Sequence, residues 1–276
     1  MRRLALLAAA LALASCAHQT LAGYDLDRVQ RPAFLSWIEE GAGPRAEVFR
    51  NDEAYKARLK KLDPPEADRR LAAKLVKQIN KFEITDRLRA GTLLSLPKEA
   101  PWTNSVDASK VASLYGSLLV EDLTATRPDP RELKQLGADA VVEFVIKSYG
   151  IRSAKGKAGA YVEGEARMFL LDGGDIWRMA FKVDQAADRT GALDPFEVAK
   201  DPNRVLFRDQ LNAILDQVSQ RAARELQPLH RKRPPAAGGT EGPPPAGELE
   251  QPPPPPAKTD KTDKTDDELP PAGELE

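Results

Sequence analysis

The residue types that most often do chemistry are sparse in this chain. Cys16 is its single cysteine, and His18 and His230 are its only histidines among 276 residues. One cysteine excludes a disulfide framework and any multi-cysteine metal site. Histidines placed only at the margins leave the region between them without a Ser-His-Asp set or a histidine zinc site. Asp172 and Asp175 flank Gly173-Gly174 and could offer oxygens to Ca²⁺, but a calcium loop needs more ligands than these, and a hairpin turn explains the pattern. Asp86-Arg87 reads either as a functional ion pair or as an ordinary surface or capping pair, the latter being the expectation. Lys155, Gly156, Lys157 and Gly159 resemble phosphate-loop composition. They join two strands rather than opening a helix, so the anion-binding argument fails. Trp37, Trp102 and Trp177 are expected in the core, although Pro101-Trp102-Thr103 reads as a loop that could expose its indole. No paired-carboxylate signature or nucleotide fingerprint is present. The expectation is therefore no catalytic residue, no metal and no cofactor.

Cys16 is the residue that carries a function. Met1-Arg2-Arg3 is basic, and Leu4 to Leu13 is an unbroken run of Leu and Ala. Ten helical residues span about 15 Å, half of a bilayer's hydrocarbon core, too short for a transmembrane helix but right for a secretory signal. The run closes as Leu13-Ala14-Ser15-Cys16, which resembles the lipobox of bacterial lipoproteins. That resemblance implies that the signal, residues 1–15, is removed and that Cys16 becomes the first mature residue, carrying lipid on its sulfur. The thiolate is the nucleophile such a transfer requires, and two or more acyl chains make a stable anchor. Ala17 stands where an aspartate marks inner-membrane retention in lipoproteins of this type. The implied address is the outer membrane, facing the periplasm.

The other end changes character after His230-Arg231-Lys232-Arg233. Residues 234–276 hold 12 of the 23 prolines, no aromatic residue, and 3 Lys against 10 acidic residues, a net charge of −7. Pro-Pro-Ala-Gly-Glu-Leu-Glu occurs at both 244–250 and 270–276. With so few apolar side chains to offset ordering entropy, residues 231–276 are expected to be disordered and partly polyproline II. The tail is either a solvating extension enlarged by repeat duplication or a spacer carrying two copies of a docking motif.

The middle is expected to fold as α+β. Residues 16–23 read as a short tether and 24–65 as a helical segment, with helices over Ala33 to Glu40 and Pro44 to Leu62. Asp63-Pro64-Pro65-Glu66 opens a helix that buries Leu71, Leu75, Val76 and Ile79. Phe82 to Thr85 and Thr92 to Leu96 read as short strands, and Asp107 to Val120 as a helix. Asp129-Pro130 opens a short helix that ends at Gly137. A three-stranded meander follows. Its first strand, Asp139 to Ile151, is apolar on both faces, and Tyr161 to Leu171 alternates. The strand after the Asp172–Asp175 turn carries Trp177, Met179, Phe181 and Val183 on one face. Asn203 to Gln227 is a long amphipathic helix that covers the sheet. The expected domain, 66–230, is a two-layer sheet, mixed or antiparallel, with helices on one face and the other partly wet.

The order of these elements, with Asp86-Arg87 after the short strand and Leu136-Gly137-Ala138-Asp139 entering the central one, resembles the small domains of periplasmic lipoproteins in the curli-secretion and penicillin-binding-protein-activator group. The resemblance covers about residues 66–228. Removing Arg2 and Arg3 leaves residues 16–233 at only +4, which with export argues against a nucleic-acid partner. The expected function is a non-enzymatic, lipid-anchored module that binds or scaffolds another envelope protein or the cell wall. A subunit of an envelope transport or secretion assembly, or a hydrolase with an unrecognised carboxylate pair, remain the alternatives.

Overall fold

The computed structural model describes residues 18–115, 129–190 and 193–228. The signal at 1–15, Cys16, the end of the 107–120 segment and the tail at 231–276 lie outside the described residues. Among the described residues, six strands form one mixed sheet: β1 (His18–Gln19), β2 (Pro32–Ile38), β3 (Arg45–Glu47), β4 (Ala140–Ala154), β5 (Lys157–Leu170) and β6 (Asp175–Asp184). The helices are α1 (Gly23–Leu26), α2 (Glu53–Lys56), α3 (Pro64–Leu75), α4 (Lys81–Ser95), α5 (Ala108–Leu114), α6 (Pro195–Lys200) and α7 (Leu206–Glu225), with 3-10 turns at Trp102–Asn104 and Pro130–Leu136. The α+β class and the mixed sheet agree with the sequence reading.

β4, β5 and β6 form the expected antiparallel meander. Lys155 and Gly156, both at positive φ (52° and 76°), make the tight turn between β4 and β5. The other edge of β4 takes two strands in tandem, both parallel to it. Pro32 to Ile38 of β2 pair with Ala140 to Ile146, and Arg45 to Glu47 of β3 pair with Gly150 to Arg152. The short β1 closes the far edge, pairing His18 with Met179 and Gln19 with Arg178 on β6.

The alternation of side chains then divides the sheet. One face gives Phe34, Phe144, Met168 and Trp177 to a large core completed by Leu75 of α3, Leu88 of α4 and Leu211 and Leu215 of α7. On the other face, a smaller apolar cluster joins Ala33, Leu35 and Val141 to Val111 of α5 and Leu133. The rest of that second face is polar. Helical elements thus lie on both faces, and only the larger layer was expected.

Several expectations are corrected. Ala33 to Glu40 is strand β2, not a helix. It is apolar toward both clusters, so its Phe34, Leu35, Trp37, Ile38 spacing mimics a helix period. The segment 44–62 holds β3 and the single turn α2 instead of one helix. Residues 24–65 therefore contribute β2 and β3 to the sheet, and the supposed tether contains the paired residues His18 and Gln19. Phe82 to Thr85 and Thr92 to Leu96 fall within one helix, α4. Asn80 caps it by accepting from the Glu83 N–H at 2.6 Å, and Ile84, Leu88 and Thr92 line its buried side. Gly91 masks the helical signal but permits close approach to α7, since a Cβ there would meet Ser219 Oγ at 3.0 Å. Val76 is exposed rather than buried. Asp63 opens α3 without a side-chain cap, and Glu66 pairs with Arg69 and Arg70 instead of closing a capping box. The segment 130–136 ends, as expected, on left-handed Gly137 (φ 76°).

Aspartates pin the irregular segments to the sheet. Asp139, entering β4, accepts from the N–H groups of Gln30 and Arg31 at 2.7 and 3.1 Å and so sets the start of β2. Asp52 accepts from Ala54 and from Gly156 of the β4–β5 turn. Asp68 of α3, 3% exposed, accepts from the N–H groups of Val48 and Phe49 at 3.0 Å and of Arg50 at 3.2 Å. Buried N–H groups left without an acceptor cost about 1–3 kcal/mol each. Asp68→Ala is expected to lower unfolding free energy by about 3 kcal/mol in urea titration with unchanged slope. A loss within measurement error contradicts this role.

Candidate functional site

The polar part of the second sheet face holds two clusters of charge. The first centres on Glu143, which interrupts the apolar run of β4 and has no exposed surface. Its Oε1 accepts from Trp37 Nε1 on β2 at 3.0 Å, and its Oε2 from Arg167 Nε on β5 at 2.6 Å. Arg167 lies over the Phe169 ring at 4.7 Å and 3.7 Å from Asp175, which also pairs with Arg178. The carboxylate is clamped between two neighbouring strands, an arrangement suited to holding register rather than to moving a proton.

The second cluster centres on Arg152, at the far end of β4. Its guanidinium lies 3.5 Å from the Tyr161 ring centroid and reaches Glu163 at 2.8 Å, Asp184 at 3.2 Å and Glu47 at 3.6 Å. Lys182 adds a second cation to Glu163 at 3.2 Å. Burial alone would raise the pKa of Glu163, but the hydrogen bonds from Arg152 and Lys182 outweigh it and hold the carboxyl below its ordinary range. Burial pushes the Tyr161 phenol upward, so it stays neutral beside its Ser148 hydroxyl partner.

The residues singled out in the sequence do not converge on either cluster as a set. Asp172 pairs with Lys134, and Asp175 with Arg167 and Arg178, so the two carboxylates serve separate partners. Asp86 and Arg87 do not pair with each other. Arg87 makes a two-point bond to Asp216 of α7 at 2.8 and 2.7 Å, tying α4 to α7, while Asp86 holds Arg89. Lys155, Gly156, Lys157 and Gly159 form the β4–β5 turn and the first residues of β5. Trp102 is buried, 6.3 Å edge-on from Phe34, in the core as expected rather than exposed on its loop. Trp177 is fully buried. Trp37 is the one that joins a polar cluster. Glu143 and Arg152 were not singled out by sequence reasoning. A lone Glu within Val141-Val142-Glu143-Phe144-Val145 was the available signal, because an acidic side chain in a strand apolar on both faces demands a partner. Among the described residues, no group of three or more His, Cys, Asp or Glu is placed to hold a metal ion.

No family model matches the chain, and neither does any curated protein. Two solved structures show a distant likeness, each at 12% identity. One, described only as an uncharacterized protein, covers 73% of this chain and 95% of its own with a TM-score of 0.28. The other, the hypothetical protein CT253 from Chlamydia trachomatis, covers 69% and 96% with a TM-score of 0.26. Likeness at that level defines neither a fold nor a function.

The depressed pKa of Glu163 fixes a pH signature. The unfolded chain binds its proton at a higher pH than the folded one, so the stabilisation is complete above the unfolded pKa and disappears as pH falls through the folded value. Arg152→Met leaves Glu47, Glu163 and Asp184 without their shared cation and is expected to cost about 2–3 kcal/mol at neutral pH. The deficit should shrink steadily on acidification in urea titrations. A deficit independent of pH contradicts the assignment.

Proposed function

We propose that this chain is a bacterial envelope lipoprotein, anchored through acylated Cys16 to the outer membrane, whose folded domain binds or scaffolds another envelope component without catalysing a reaction. The observation that carries the reading is the place of Cys16 in the chain. It ends the tetrapeptide Leu13-Ala14-Ser15-Cys16 after a short apolar run, and it stands two residues before His18, the first described residue of the sheet. No helix among the described residues is long and apolar enough to cross a membrane. The binding role is supported by the polar sheet face, where Glu163 is engaged by Arg152 and Lys182 and Asp184 by Arg152. A face of interlocked ion pairs offers a fixed charge pattern to a protein or wall polymer, in line with the partners implied by the resemblance to curli-secretion and penicillin-binding-protein-activator domains.

Cys16→Ser separates the anchored reading from its rivals. The wild-type protein is expected in the membrane fraction, released by detergent and carrying metabolically incorporated palmitate, and the variant should lose both label and membrane retention. Membrane retention of the variant with no shift in gel mobility overturns the proposal.

A further inference from the structure

The helical layer over the large core has one corner where apolar and basic side chains are exposed together. α4 runs parallel to α7, with Arg87 bonded to Asp216 and Gly91 against Ser219, so its first residues lie toward the N-terminal end of α7. The turn leading from α3 into α4 is tied to α6, since Gln78 Nε2 donates to the Val198 carbonyl at 3.0 Å. Leu75 and Ile79 of this stretch are buried in the core. Val76 and Phe82 are instead 60% and 44% exposed, and Leu206, the first residue of α7, is 39% exposed.

Lys74, Lys77 and Lys81 bracket Val76 and Phe82, are exposed, and make no ion pair among the described residues. Lys200 at the end of α6 and Arg204 just before α7 add two more exposed cations. Three acids share the corner. Glu83 is half-buried in α4, Glu197 is exposed on α6, and Asp201 accepts from the Val205 and Leu206 N–H groups. Five cations thus stand against three anions. α4 also opens on Lys81, where the helix dipole favours an anion.

This mixture selects its occupant. Protein interfaces are depleted in lysine, and a standard one buries about 800 Å² on each side. A few apolar tips set among lysines fit that description poorly. They fit the headgroup region of an anionic bilayer, where apolar tips enter the boundary and lysine stems reach up to phosphate. We propose that Lys74, Val76, Lys77, Lys81 and Phe82 form a peripheral contact with anionic phospholipid headgroups. The contact goes beyond the anchoring read from Cys16 and does not require it. Each lysine near an anionic leaflet strengthens binding about fivefold, so three contribute on the order of 100-fold. That is reversible binding, too weak alone to hold an unacylated chain through membrane washing. His18, two residues after Cys16, lies beside Glu225 at the other end of α7, whose 20 residues span about 30 Å. Acylation at Cys16 together with this contact would lay α3, α4 and α7 along the leaflet and leave the polar face of the sheet open to a partner.

The test uses residues 17–276, which keep every described element and have neither the apolar leader nor a cysteine. Sedimentation is measured with excess vesicles of phosphatidylethanolamine containing either phosphatidylglycerol or phosphatidylcholine. The expected result is partitioning on the order of 100-fold stronger into phosphatidylglycerol vesicles, abolished by high salt. Lys77→Glu with Lys81→Glu should weaken it at least about 20-fold, and Phe82→Ser several-fold, with thermal unfolding by circular dichroism unchanged. Lys60→Glu with Lys61→Glu, an equal charge change at two other exposed lysines without an ion pair among the described residues, should weaken it far less. Equal partitioning into both vesicles, an equal loss from the Lys60 and Lys61 pair, or no effect of Phe82→Ser overturns the contact. None of these outcomes touches the Cys16 reading, which is tested separately by its label and membrane retention.

Discussion

Glu143 stands in the middle of β4 with no exposed surface, and its two carboxylate oxygens reach in opposite directions across the sheet, to Trp37 on β2 and to Arg167 on β5. A buried carboxylate is tolerated only when its partners are in place. A slip of one residue in either ladder would turn Glu143 or its partners toward the large apolar core. The clamp therefore specifies the parallel register of β2 and the antiparallel register of β5 together. With β4 held on both sides, β3 takes the remaining length of the same edge, β6 follows β5, and α3, α4 and α7 close over the apolar face. Asp139, Asp52 and Asp68 then fasten the connections to this frame through backbone N–H groups.

The frame also places the first described strand beside the last described helix. β1 is only two residues long, but its pairing with Met179 and Arg178 places the start of the domain beside the last turn of α7. A lipid on Cys16 would therefore hold the domain close to the bilayer rather than on a long leash. The polar sheet face carries the clusters around Glu143 and Arg152, each built from residues of several strands. Its ion pairs cross between strands instead of lying along one, which ties neighbouring strands together.

Strong local signals were legible in the sequence. The meander, its two turns, the cap at Gly137 and the long final helix all have patterns set by nearest neighbours. What escaped was set by tertiary context. β2 is buried on both sides, so Phe34, Leu35, Trp37 and Ile38 lose the alternation that marks a strand. α4 carries Ile84, Thr85, Gly91 and Thr92, poor helix formers retained because the helix packs tightly against Ser219 of α7. β3 is three residues paired to β4, and the residues just after it are held by Asp68, twenty positions beyond Val48, which no local pattern announces. At the polar face, Arg152 draws its partners from β3, β5 and β6, three separate stretches of chain.

Anchoring at Cys16 is the claim that gives the fold a biological setting, for it decides which surface faces lipid and which is free for a partner. The direct measurement is the mass of the N-terminal peptide from protein purified out of native membranes. The account predicts a chain beginning at Cys16 whose mass exceeds the unmodified sequence by a diacylglyceryl group, with or without an amide-linked acyl chain. A peptide that still contains Leu13-Ala14-Ser15 ahead of an unmodified thiol contradicts it.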